Sequence, residues 1–285
     1  MKSHVKNQHY VPQFLLKNFA SRDEAFIWAY DKKEKYSEQN RIKERAVKKV
    51  ASEKFFYDMH TNDPENSYEY VLEKIENDTA RIIAEIIKTK TINDLSEEER
   101  GTLSLFIVTQ ILRTKGNLLQ CESRTESISK HLEEKWNIKT PDIDSKKVWF
   151  STLQKHEIFK EIIMNKIWVL YESNNSFLIS DNPVTLQNVI NTNKHRGTLG
   201  IDSPGIEIYL PLSPSLTICM FCEKFFEQSG YYIKQIPNEI SILEKVENLN
   251  FLQIASSDRF IFSHKNDFEF VERTIKFYSI KKMNY

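Results

Sequence analysis

The apolar residues of this chain change their spacing at Lys166, and that change restricts the fold more than any other feature. Before it, Val71, Leu72, Ile75, Thr79, Ile82, Ile83 and Ile86 recur three or four positions apart. This spacing predicts a helix of about five turns with one buried stripe. Ser96-Glu97-Glu98-Glu99 is a capping box that starts the next helix, which continues through Leu103, Phe106, Ile107 and Ile111. Helical periodicity resumes from Leu118 to Trp136 and again from Val148 to Met164, with a break at Thr140-Pro141-Asp142. After Lys166 the period is two. Residues 167–171 read as a strand, 172–175 as a turn and 176–179 as the return strand. Residues 206–212 and 216–222 read as a second hairpin, after a polar, Gly-containing loop over 187–203. A helix is expected from Asn238 to Ser257, with Ile240, Leu243, Val246, Leu249 and Ile254 inward, then a short strand at Phe260-Ile261-Phe262.

Towards the N-terminus, residues 25–30 read as a strand, and Asn62-Asp63-Pro64-Glu65-Asn66 is the first clear break. The expectation is an α+β chain divided at 1–64, 65–165 and 166–285 and folded as one composite domain. A small, mostly antiparallel sheet from the N- and C-terminal segments would carry an inserted all-helical block. With 285 residues, 40% of them hydrophobic, the chain can bury a sizeable core. Its formal net charge of +0 advertises no global attraction to nucleic acid or lipid. No apolar run reaches the ~20 residues that span a bilayer, so no membrane partner is expected. Three cysteines and no signal-peptide pattern point to the cytoplasm.

Polar residues stand out against this apolar pattern at a few places. His9 precedes a short helix whose first residue would be Pro12, which has no amide hydrogen to lose there. His9 therefore lies before a helix N-terminus, as an acid/base or ligand, or as a structural hydrogen-bonding residue. Gln110 and Thr114 fall on the same helical face as Leu103, Phe106 and Ile107, with Arg113 at its edge. Either this turn lines a cleft or Arg113 makes a buried ion pair. Asp181, held extended with Asn182 before Pro183, is a candidate metal ligand or base at a strand end; the alternative is an Asx turn on its own backbone. Arg41, Lys43, Arg45, Lys48 and Lys49 form a local basic patch, facing either a phosphate backbone or only water. Cys219 and Cys222 match C-x-x-C, but a strand sends them to opposite faces and no second ligand pair exists.

Four stretches together resemble one bacterial family, called domain of unknown function 4238. They are His9-Tyr10-Val11-Pro12-Gln13-Phe14-Leu15-Leu16 with Asn18-Phe19; Gln110 with Arg113-Thr114; Ser180-Asp181-Asn182-Pro183-Val184; and Pro211-Leu212-Ser213-Pro214. This chain has Lys115 where members often have Pro. The resemblance implies a bacterial, often mobile-element-linked protein and brings no established activity. If the signature residues converge, the expected function is a metal-dependent phosphodiester hydrolase, a nuclease-like effector of bacterial defence or toxicity. His9, Gln13, Arg113 and Asp181 would be catalytic, Gln110 and Asn182 would contact a bound ligand, and Asp181 with Glu73 would hold a divalent metal. Glu76 is a reserve carboxylate. An NAD-using ADP-ribosyltransferase-like enzyme is one alternative, and a non-catalytic sensor or binding module is another. A partner protein or a second copy is allowed by either. No phosphate-binding glycine loop, Gly-x-Ser-x-Gly elbow or His-Glu-x-x-His is present.

Overall fold

In the computed structural model, residues 5–34, 38–58, 68–139, 143–190, 199–223 and 243–283 are described. The breaks expected at 62–66 and 140–142, residues 191–198 of the loop expected over 187–203, and the start of the helix expected from Asn238 (with Ile240) lie outside them.

The helical block follows its hydrophobic period. Helix α3 (Glu69–Thr89) buries Leu72, Ile75, Thr79, Ile82, Ile83 and Ile86, while Val71 falls off the stripe and is exposed. Both halves of the capping box are formed at the start of α4 (Glu97–Leu112), between Ser96 and Glu99. This helix is buried nearly all round at its C-terminal half, including Thr109 and Gln110. It ends earlier than its polar face suggested. Arg113 is its C-cap, and Thr114 is the N-cap of α5 (Lys115–Trp136), accepting a hydrogen bond from the Asn117 amide. Lys115 is thus the first residue of a new helix, the position where a proline fits without losing a hydrogen bond. Helix α5 buries little beyond Leu118; α6 (Ser145–Leu153) and α7 (His156–Met164) return the chain to the core.

The shorter elements are β1 (Asn7–His9), α1 (Gln13–Lys17), β2 (Phe26–Asp31), α2 (Glu38–Arg41), β3 (Ile42–Ala46) and β4 (Ser52–Lys54). Then come β5 (Ile167–Glu172), β6 (Ile179–Ser180), β7 (Thr185–Asn188), β8 (Ile206–Ser213), β9 (Leu216–Phe221), α8 (Leu243–Ser256), β10 (Phe260–Ser263) and α9 (Glu269–Met283). All described strand pairs are antiparallel, so the chain is α+β as expected. The sheet shared by N- and C-terminal segments is there, in the order β3-β2-β10-β6. A second sheet, β5-β9-β8-β7, is built from C-terminal strands, and β1 pairs with β4 in a small ribbon.

The first of the two expected hairpins does not form. Strand β5 pairs with β9, from Ile167 opposite Phe221 to Glu172 opposite Leu216, and β6 pairs instead with β10. The segment between them wraps the β8–β9 turn, where Ser173 and Phe177 donate their amides to the carbonyls of Ser215 and Pro214. Alternating apolar residues make both faces of β5 burial surfaces, and β9 offers a longer apolar ladder than the two-residue β6.

One hydrophobic interior draws on every segment: Leu15 and Phe19, Ile83 and Phe106, Ile218 and Phe262. The shared sheet turns Ile27, Ala29 and Phe262 towards it, and its other face packs Tyr30 and Ile261 under Ile254, Phe268 and Val271. No helix among the described residues is long and apolar enough to cross a membrane.

Candidate functional site

The signature residues act on the chain around β1. Alternation along this strand sends Gln8 inward and Asn7 with His9 to the other side. Asn7 ties down to Ser52 Oγ (3.0 Å) and the Lys48 carbonyl (3.2 Å). The buried Gln8 amide accepts from the Tyr57 amide (2.6 Å) and donates to Asp58 Oδ1 (2.8 Å). The next two carbonyls are held by the helical block. Arg113 Nη2 donates to the His9 carbonyl, and Gln110 Nε2 donates to the Tyr10 carbonyl (2.8 Å). Arg113 also donates Nη1 to Glu76 Oε1 (2.6 Å) and Nε to the Tyr57 hydroxyl (3.1 Å), which itself donates to the Arg113 carbonyl (3.0 Å). The guanidinium is 1% exposed, and each of its nitrogens has a partner. Burial works against its charge, yet Tyr57 and Glu76 more than offset that and hold its pKa above the ordinary arginine value. The buried ion pair, the second of the two sequence readings, is the one realised.

His9 sits beside this network, 8% exposed. Burial, helped by the nearby Arg113 charge, lowers its pKa from 6.5 to about 4, although the Val47 and Lys48 carbonyls bonded to the ring pull it upward. The imidazole is therefore neutral at pH 7. Its Nε2 is buried without a hydrogen-bond partner among the described residues. Its proton-linked shifts should stay flat in an NMR titration from pH 8 down to about 5 and move only below that. Because the folded pKa lies below the unfolded one, the neutral ring's contribution to stability is complete above 6.5 and is lost as pH falls through about 4. His9→Phe should flatten that acid limb.

Asp181 forms a second centre. Its carboxylate accepts three backbone amides at the turn from α8 into β10: Asp258 (2.9 Å), Arg259 (2.7 Å) and Phe260 (2.8 Å). The expected Asx turn on its own backbone is thus replaced by a cap on a segment nearly eighty residues away. Burial raises the carboxyl pKa to about 6, against the three amides, which favour the ionised form. Neighbouring residues fasten the same joint. Asn182 Nδ2 reaches the Ser256 carbonyl (3.3 Å), Ser180 Oγ donates to Gln253 Oε1 (2.8 Å), and Gln253 Nε2 donates to the Pro183 carbonyl (2.8 Å). Tyr10 is bonded to the first centre and feels the charge of the second. Its carbonyl takes the Gln110 bond, while burial first, then Asp181, Glu53 and Asp258, keep its hydroxyl protonated.

Gln110 and Arg113 thereby hold the carbonyls of Tyr10 and His9, while Ser180, Asp181 and Asn182 fasten the turn from α8 into β10. Residues 7–267 match the family described as a protein of unknown function, DUF4238. The chain belongs to the DUF4238 family. No curated protein and no solved structure matches it.

Not every expected site residue of this DUF4238 chain joins the two centres. Gln13 is exposed on the first turn of α1, and its side chain makes no hydrogen bond among the described residues. Glu73 is exposed on α3, where its charge helps raise the Glu69 pKa to about 7, after burial as the main cause. Of the two residues expected to hold a divalent metal, Asp181 lies beside the turn into β10 and Glu73 on α3. Asp181 is committed to three amides, and among the described residues no three His, Cys, Asp or Glu side chains group closely enough to hold an ion. The basic patch is divided. Lys43 and Arg45 share one face of β3, with the Arg45 guanidinium 5.5 Å from the Phe260 ring, whereas Arg41 ends α2 and lies 5.9 Å from the Tyr30 ring. Lys48 and Lys49 are exposed on the turn that follows. Gln8 and Tyr57 are central to the network, and the sequence reading passed over their part in it.

Proposed function

We propose that this DUF4238 protein is a non-catalytic binding module whose signature residues are its frame, and that it takes a phosphate-bearing chain on the Lys43, Arg45, Lys48 and Lys49 face. The observation that carries this reading is Arg113, enclosed and with every nitrogen engaged. A guanidinium that stabilises a phosphoryl group must reach the reacting oxygens, and this one is spent on a carbonyl, a tyrosine and a carboxylate. Asp181 is likewise engaged by backbone amides. What stays open to solvent is Lys43 on β3 with Lys48 and Lys49 on its turn, while Arg45 is half-buried, its Nε lacking a partner among the described residues.

Fluorescence anisotropy with labelled single-stranded RNA and duplex DNA, repeated over a salt series, tests the proposal. Binding should weaken steeply with salt, as counterion release requires. Lys43→Glu with Lys48→Glu should weaken it by roughly tenfold or more at low salt. Neither nucleic acid should be cleaved, with or without magnesium or manganese. Cleavage that vanishes in a folded His9→Ala protein would establish the hydrolase instead, and thermal stabilisation by NAD alone would favour the transferase.

A further inference from the structure

The three cysteines occupy three different electrostatic settings, and only one of them suits a nucleophile. Cys219 is fully buried on the outer face of the second sheet, and burial pushes its thiol well above the ordinary range, with Glu207 adding to it. Cys121, half-buried on α5, points its S–H at the Ser145 carbonyl (3.7 Å). Cys222, half-buried just past β9, is an acceptor. Its sulfur takes the amide hydrogen of Gly205 (2.9 Å).

That amide is aimed by a turn only glycine can make. Gly205 has φ +79°, and a Cβ there would lie 2.5 Å from the Ile190 Cβ. Its own carbonyl is held by the Val189 amide. The second contribution comes from Lys166. The β5–β9 ladder ends with Ile167 opposite Phe221, and Lys166 and Cys222 are the next residue on either side, so the register continued by one step pairs them. Lys166 is 7% exposed, and its ammonium makes no hydrogen bond or ion pair among the described residues. Burial lowers its pKa, while the facing Cys222 sulfur and then the exposed Asp202 carboxylate pull it back up. Arg100, the other cation nearby, is turned away to the carbonyls of Met164 and Lys166 and over the Trp168 ring. Glu223, the next residue, is exposed.

We propose that Cys222 is a thiol-modification site, paired with Lys166 and the Gly205 amide, that reacts with small anionic disulfides. A backbone N–H and an ammonium are the two groups that stabilise negative sulfur. In the reaction the Cys222 thiolate attacks one sulfur of the disulfide, the disulfide bond breaks, and the departing thiolate takes a proton from water. The product is a mixed disulfide on Cys222 and one free small thiol, with the disulfide as the oxidant. The Lys166 ammonium also attracts a reagent that carries carboxylates.

The test incubates the full chain with oxidised glutathione and follows each cysteine-bearing peptide by mass spectrometry. At pH 7 one glutathionyl group should appear on Cys222, about tenfold faster than on Cys121, with Cys219 unmodified. Lys166→Met should slow the reaction and shift its pH–rate profile upward, and Lys166→Arg should restore most of the rate. Since Lys166→Met alters a buried position, a second comparison uses the unchanged protein, native against urea-unfolded, with the uncharged hydroxyethyl disulfide. Native Cys222 should react faster than unfolded Cys222 at pH 7. Faster modification of Cys121, or a native rate no greater than the unfolded one, overturns the assignment.

Discussion

Replacing Arg113 with Met should destabilise the protein by about 3–5 kcal/mol, the range for removing one partner of a buried ion pair. The side chain fits the space, so the loss is electrostatic rather than a matter of volume. Three groups would lose a partner: the Glu76 carboxylate, the His9 carbonyl and the Tyr57 hydroxyl, which keeps only its bond to the backbone carbonyl of residue 113. Glu76 is 25% exposed and can turn partly to water, which places the expected loss nearer the lower bound. Arg113→Lys keeps the charge, but a single ammonium does not reach three partners set by a planar fork, so an intermediate loss is expected. Adding Glu76→Gln to Arg113→Met should recover part of the stability, because the stranded carboxylate is then neutral. Urea unfolding midpoints at constant m-value measure all four proteins. If Arg113→Met unfolds within about 1 kcal/mol of the original, the frame does not depend on this residue. The binding-module reading then loses the observation that carries it.

The same residue shows how far a single sequence reaches. Polar groups on the buried face of α4 announced that something had to satisfy them, because an unpaired charge in a core is too costly to persist. The pattern supplied that demand but not the supplier. Arg113 is answered by Tyr57, Glu76 and His9, residues 37 to 104 positions away, and no local period encodes such pairings. Helices were legible where one stripe met one core, as in α3, and where a cap was spelled out, as at Ser96. Sheet order was not. The shared sheet of N- and C-terminal strands followed from the period switch, yet the rule that sequential strands pair failed for β5, whose ladder partner lies across a longer excursion. Asp181 misled for a related reason: an Asx turn is the nearest way to satisfy such a carboxylate, and the fold brought better donors from α8's end.

Asp181→Ala carries the second large effect. It would leave the amides of Asp258, Arg259 and Phe260 without their acceptor at a joint where Asp181 itself is 2% exposed. Stranding buried donors costs about 1–3 kcal/mol each, and some will recover water once the side chain is gone, so a total loss of about 3 kcal/mol is expected. Hydrogen exchange should locate it. Amides 258–260 should lose protection, while those of α3 and α4 keep theirs in proportion to the global change. Asp181→Asn separates hydrogen bonding from charge. Its one amide oxygen can still take two of the donors, and its NH₂ then faces the third, so a smaller loss follows. The two proteins should also differ in pH dependence. Burial raises the Asp181 pKa from 3.8 to about 6, so the folded state holds this proton more tightly than the unfolded one. The resulting stabilisation is complete below about 4 and is lost as pH rises through about 6. Asn has no proton to lose, and the stability gap between the original protein and Asp181→Asn should therefore narrow from pH 4 to pH 7. A gap that widens over that range would mean that the three amides outweigh burial and hold the carboxyl ionised. Asp181 would then serve the fold as a fixed negative charge rather than as a buried acid.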